Sequence, residues 1–123
     1  MRPRILYIQR HHKILSSTLR RLERIGYAAM GVQSIPAALD LMRLAPPDCV
    51  LLALDCPQVE LQHFLAEYAS MKPIPLLAMR NSQNSHSFMN ERKFGAYFYG
   101  IIDPAIDSDK LKNLFAEFTS DNR

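Results

Sequence analysis

No stretch of this sequence approaches the roughly 20 consecutive apolar residues that a membrane-spanning helix needs. The apolar part of its basic start, MRPRILYIQRHHK, is only Ile5 to Ile8, too short for the core of a signal peptide, which sets the expectation of a cytoplasmic protein. Cysteine is nearly absent. Cys49 and Cys56 alone occur, and within one extended segment they would stand about 23 Å apart at roughly 3.3 Å per residue. A disulfide needs Cα atoms within about 7 Å, so the two are read as reduced, buried thiols. Glycine is scarce as well. Gly26, Gly31, Gly95 and Gly100 are scattered, so no glycine-rich phosphate loop exists. Nucleophile-elbow and paired-carboxylate signatures are missing. His11 and His12 are adjacent and would point apart on a helix, while His63 and His86 have no Cys or acid at ligand spacing, so a zinc site is not expected. No repeat, low-complexity tract or linker interrupts the chain.

What is present suits one domain with one core. The chain has 123 residues, 48% hydrophobic and 22% charged, the ordinary balance of a folded globular protein. Its net charge is +3. Part of that excess is local, in Arg2, Arg4, Arg10, Lys13, Arg20, Arg21 and Arg24. Such a cluster suits an anionic partner, and is equally what a solvated helix face carries.

Strand and helix patterns alternate along the chain. Arg4 to Gln9 reads as a short apolar strand. His12 to Ile25 reads as a helix with Leu15, Leu19, Leu22 and Ile25, joined by Ile14, on one face, and Gly26 ends it. Tyr27 to Val32 is a second strand. Ser34 caps a second helix that tolerates Pro36 in its first turn and buries Ala38, Leu39, Met42 and Ala45. Pro46 and Pro47 stop it, and Cys49 to Leu54 is a third strand, apolar throughout as a strand covered on both faces is. A third helix runs from about Leu61 to Ser70, turning Leu61, Phe64, Leu65 and Tyr68 inward. Pro75 to Met79 is a fourth strand. A polar loop, Asn81 to Ser85, leads into a weak fourth helix ending near Lys93, with only Phe88, Met89 and Phe94 apolar in its vicinity. Tyr97 to Ile101 is a fifth strand. Ser108 caps a last helix with Leu111, Leu114, Phe115 and Phe118 on its apolar face and Asp107 and Asp109 at its positive end. Five strands alternating with five helices indicate an α/β fold with a parallel sheet, right-handed crossovers and helices on both faces.

Over its whole length the chain resembles the receiver domain of two-component response regulators. The words that carry the resemblance are RILYIQ, GYAAMGVQSIPAALDLM, PPDCVLLALDCP, IPLLAMR and GAYFYG, in that order and at receiver spacing. The resemblance implies a flavodoxin-like, doubly wound sheet of order 2-1-3-4-5. It also implies a phosphoryl-transfer site, made of an acidic pair after the first strand, an acceptor aspartate after the third, a hydroxyl after the fourth and a lysine after the fifth. Phosphoryl transfer needs a metal and fixed donors to offset charge on the equatorial oxygens. This sequence departs at each position. The acidic pair falls on Gln9 and Arg10, and the acceptor on Ala53. The hydroxyl falls on Arg80 (or Met79), and the lysine on Ile102, or Asp103 if one residue is inserted before Pro104. Glu60 matches the acid of the family's loop after the third strand, with Leu61 in place of the glycine beside it. A magnesium site prefers hard oxygen ligands, so no metal, no cofactor and no autophosphorylation at the usual position are expected.

Asp55 lies two residues beyond the acceptor position. It is read as an ion-pair partner for Arg10 or Arg80, as a plain solvated loop acid, or as a substitute phosphoacceptor. In receivers an aromatic of the fifth strand moves between states, and Tyr99 occupies its place, with Tyr97 nearby. The family's usual partner face is the surface of fourth helix, fifth strand and fifth helix. The expectation is therefore a non-enzymatic, phosphorylation-independent regulatory domain over residues 1–123, the N-terminal module of a longer regulator, acting through a homodimer or another protein. Arg20, Arg21 and Arg24 of the first helix supply the alternative of nucleic-acid contact.

Overall fold

The computed structural model describes residues 2–80, 98–102 and 107–119, the side chains of 117–119 excepted. Nine elements follow in chain order: β1 (Arg4–Ile8), α1 (His12–Arg24), β2 (Ala28–Val32), α2 (Ile35–Leu44), β3 (Cys49–Ala53), α3 (Gln58–Ala69), β4 (Leu76–Met79), β5 (Gly100–Ile102) and α4 (Ser108–Thr119). The strands form one sheet of order β2-β1-β3-β4-β5, every neighbouring pair parallel. The pattern of strands and helices gave the parallel sheet, and the order is that of the doubly wound, flavodoxin-like architecture implied by the receiver resemblance. Four helices are described, and the weak fourth helix of the sequence reading lies outside the described residues.

Alternation along the strands builds two cores. Leu6, Ile8, Val50, Leu52, Leu76 and Ala78 point to the side covered by α2 and α3, where Ala38, Leu39, Met42, Leu61 and Phe64 meet them. Ile5, Tyr7, Cys49, Leu51, Leu77 and Ile102 point to the opposite side, against Leu15 and Leu22 of α1 and Leu111 and Phe115 of α4. Every residue of β3 is buried, as a central parallel strand with a layer on each face requires. Gly31 lets α1 approach β2 closely, because a Cβ there would stand 2.6 Å from Leu15 Cδ1 and 2.8 Å from Leu19 Cδ1. Gly26, with φ +109°, closes α1 in the left-handed region.

Several boundaries and burials differ from expectation. Tertiary hydrogen bonding decides most of them. β3 ends at Ala53, where pairing with Met79 of β4 ends, so Leu54 and Asp55 belong to a turn. α3 begins at Gln58, with Pro57 as its N-cap, which places Glu60 in the helix's first turn and not in a loop. A carboxylate is favoured there by the helix dipole. Asp107, not Ser108, caps α4, its carboxylate accepting the Lys110 N–H at 2.9 Å. β5 begins at Gly100, where its register with Leu77 starts, so Tyr99 precedes the strand. Ala45 is exposed as the C-cap of α2, and Ile14 lies off the buried stripe of α1. Ser34 caps α2 as expected, accepting the Ala37 N–H at 3.2 Å. Tyr97, Asp103, Pro104 and the side chain of Phe118 lie outside the described residues. Among the described residues, no helix is long and apolar enough to cross a membrane.

Candidate functional site

The carboxyl ends of β1, β3 and β4 converge on one edge of the sheet, and α1 starts there. Parallel α/β sheets place ligand sites at such edges, because loops leave the strands on opposite sides of a crevice. The residues gathered here are Gln9 and Arg10 after β1, Ala53 and Asp55 at and after β3, Met79 and Arg80 at and after β4, and His11, the N-cap of α1. Ile102, at the end of β5, is buried in the core on the α1 and α4 side.

Gln9 is the one buried polar side chain among the described residues, 4% exposed. Both ends of its amide are engaged. Nε2 donates to the Tyr7 hydroxyl at 3.0 Å, and Oε1 accepts the His11 backbone N–H at 3.1 Å. The main-chain donor fixes which end of the amide is oxygen. Tyr7 in turn donates to Met79 Sδ at 3.5 Å. Burial pushes the Tyr7 hydroxyl above its ordinary pKa, against a lowering by the Gln9 hydrogen bond. A glutamine at this position thus ties β1, β4 and the start of α1 together without charge.

Arg10 reaches across to β3. Its Nη1 donates to the backbone carbonyl of Asp55 at 3.4 Å, and its own carbonyl accepts from Gln33 Nε2 at 3.1 Å. The Asp55 carboxylate is paired elsewhere than the sequence suggests: its Oδ2 stands 3.3 Å from His11 Nε2. Among the described residues it makes no ion pair with Arg10 or Arg80. The turn after Ala53 is responsible. It aims the Asp55 side chain, only 9% exposed, toward the α1 N-cap and offers its carbonyl to the guanidinium. Sequence reasoning missed His11. The available signal was positional: a residue capping a helix that follows a strand by three positions must lie at the same sheet edge.

Two clefts flank this crossing and share Arg10, Gln33, Ala53 and Asp55 in their walls. One, about 590 Å³, opens between the starts of α2 and α3 and includes Glu60 and His63. The other, about 860 Å³, opens over the start of α1 and includes Lys13, Arg21, Met79 and Arg80. Among the described residues, Asp55 is the one carboxylate in the wall of the larger cleft.

These residues do not fit a divalent magnesium ion, which takes octahedral oxygen ligands and usually one or two carboxylates. Gln9 Oε1 is occupied by a backbone donor, Ala53 offers a methyl group, and Arg10 brings a cation to the place where the metal's charge would sit. Among the described residues, no three His, Cys, Asp or Glu side chains come together as a metal site.

Cys49 and Cys56 are both buried and unbridged. Burial, reinforced by nearby Asp48, pushes the Cys49 thiol up to about 12. Burial and then Asp55 push Cys56 up to about 11. Against an ordinary value of 9.0, iodoacetamide at pH 8 should alkylate native Cys56 about 100-fold more slowly than the unfolded chain on thiolate fraction alone, and Cys49 more slowly still. Both pKa values are raised, so the unfolded state releases these protons first. Stability is therefore expected to fall as pH rises above 9 toward 12. Mass spectrometry of timed alkylation, with urea-unfolded protein as reference, checks the first expectation. Equal rates in the two states would contradict it.

No family model matches the sequence, and no curated protein does. Solved structures do. A response regulator receiver domain (CheY-like) from Methylobacillus flagellatus superposes with a TM-score of 0.76 at 17% identity, over 96% of this chain and 99% of that one. The receiver domain of a sensor histidine kinase from Pseudomonas aeruginosa, which holds a magnesium ion in its active-site cleft, superposes with a TM-score of 0.81 at 14% identity, over 97% and 98%. The N-terminal domain of a three-domain response regulator/sensory box/GGDEF protein from Carboxydothermus hydrogenoformans gives 0.77 at 14%, over 94% and 93%. The chain therefore has the fold of response regulator receiver domains, from its first strand to its last helix.

Proposed function

We propose that this chain is a signalling domain of receiver fold that works without phosphorylation, relaying state through protein contact. The observation that carries the reading is the Arg10–Asp55 crossing. A guanidinium joins the ends of β1 and β3, the sheet edge to which the receiver resemblance assigns the metal-binding acids; the Pseudomonas neighbour holds a magnesium ion in its active-site cleft. A fixed cation there disfavours a second cation, and phosphoryl transfer without a metal lacks its main charge compensation. The remaining acid, Asp55, is held by His11.

The contact surface proposed for output includes β5, an edge strand of the sheet. Tyr99 is 61% exposed beside it and Ile101 is 44% exposed on it. Aromatic and apolar groups on a sheet edge suit a second copy or a partner protein. As in the three-domain neighbour, the chain is read as one module of a longer regulator.

The test is an amide NMR spectrum recorded with magnesium and then with beryllofluoride, a phosphoryl mimic. The expected result is unchanged resonances at Leu54, Asp55 and Cys56 and throughout β4 and β5. A new set of resonances centred on Asp55 would instead establish a divergent phosphoacceptor and end the phosphorylation-independent reading.

A further inference from the structure

The larger cleft is cationic in a way that neither the fold nor a protein-contact role requires. Among the described residues its wall holds four permanent cations, Arg10, Lys13, Arg21 and Arg80, with His11 and His12 beside them. Among the described lining residues the one carboxylate, Asp55, is already within 3.3 Å of His11. Lys13 and Arg80 make no ion pair among the described residues. Elsewhere, on α2, Arg43 sits 2.6 Å from Glu67, so exposed arginines of this chain do find acids when acids are near. Like charges gathered round a concavity repel, and an anionic occupant relieves that repulsion.

The start of α1 adds to the field. His11, its N-cap, makes no side-chain cap hydrogen bond, and the first turn contains no acid. The helix's positive end, carrying His12, Lys13 and Ile14, lines the same cleft. The cleft's volume of about 860 Å³ lies in the range of small-molecule sites. Ile14, Leu54 and Met79 give it an apolar wall beside the cations.

We infer that this cleft binds a small molecule through a phosphoryl or pyrophosphoryl group, with Lys13 and Arg80 as the principal charge partners and the apolar wall meeting the rest of the ligand. Guanidinium and ammonium groups suit a multiply charged phosphate, the first by forked hydrogen bonds and the second as a point charge. Charge would then enter the domain as a bound ligand and not as a covalent modification. The inference rests on the proposed function in one respect, that no divalent cation occupies this edge. It is independent of the β5 contact.

Calorimetric titration of the whole chain with inorganic pyrophosphate, in EDTA to exclude metals, tests it. Binding is expected, weakening as salt is raised. Lys13→Ala and Arg80→Ala should each weaken it about 5–20-fold, as loss of one charge-assisted contact does. Arg43→Ala, outside the cleft, should leave it unchanged. Asp55→Asn should tighten it about threefold or more by removing the cleft's negative charge at constant shape, a gain that a merely structural role for Asp55 would not produce. Absence of heat and of amide shifts up to about 10 mM pyrophosphate would overturn the inference. Equal weakening by Arg43→Ala, or tighter binding of duplex DNA that is lost in Arg20→Ala and Arg24→Ala, would overturn it too. Because beryllofluoride with magnesium is the separate test of phosphorylation, failure of one proposal is distinguishable from failure of the other.

Discussion

Phe115→Ala is expected to lower the free energy of unfolding by about 3–5 kcal/mol, the range for removing a fully buried phenylalanine. Phe115 is 0% exposed. It projects from α4 into the core formed with Ile5, Tyr7, Leu51 and Leu77. Its ring meets Tyr27 edge-on, centroids 5.4 Å apart at 65°, and the Tyr27 hydroxyl donates to the Lys112 carbonyl at 3.3 Å. Truncation therefore removes the apolar burial, leaves a cavity that α4 and the sheet close only in part, and loosens the aromatic pair that joins α4 to the start of β2. Urea unfolding followed by circular dichroism measures the effect as a lower midpoint at unchanged slope. A loss below about 1 kcal/mol would mean that α4 is not docked on this face, since surface changes fall in that range.

Gln9→Ala should cost about 2–4 kcal/mol, a large effect for a polar residue. Two hydrogen bonds disappear together. The buried Tyr7 hydroxyl loses the Gln9 donor, and the His11 N–H, at the cap of α1, loses its acceptor. A cavity adds to this at a site only 4% exposed. Gln9→Met separates the two contributions, because it restores volume without the amide, and should recover only part of the loss. The His11 amide resonance is the local readout. It should shift in both variants, since both remove its acceptor. If Gln9→Met were as stable as the parent protein, the amide network would be dispensable and the packing alone would hold this edge.

The same side chain connects stability to the site. Gln9 orients the N-cap from which His11 reaches Asp55. Weakening that cap loosens the wall of the cationic cleft. Stability and ligand affinity are therefore expected to be coupled at Gln9 and uncoupled at Lys13, which is exposed on α1 and makes no ion pair among the described residues.

Local pattern alone carried the architecture. Leu15 and Leu22 at helical spacing, the unbroken apolar run from Cys49, Ser34 before Pro36, and Gly26 after Ile25 each state a short-range preference, and these preferences agree along the chain. Agreement at that level determines element types, their order and hence a parallel sheet with two covered faces. The groups at the sheet's carboxyl edge, Gln9, Arg10, Ala53 and Arg80, were named by the resemblance to receiver domains laid on that pattern, and the structure places them there.

What only the tertiary structure decided were the endpoints and the pairings. Whether β3 stops at Ala53 or Leu54 depends on how far β4 runs beside it, and whether Tyr99 lies in β5 depends on where the register with Leu77 begins. Neither is encoded in a residue's own preference, because a strand exists only while a neighbour supplies its hydrogen bonds. Asp55 shows the consequence. In the sequence it is open as a partner for Arg10 or Arg80, as a solvated loop acid or as a substitute phosphoacceptor. A turn of two residues sends its carboxylate to His11 and its carbonyl to Arg10. Side-chain pairing is a long-range outcome, fixed by the relative placement of helix start and strand end.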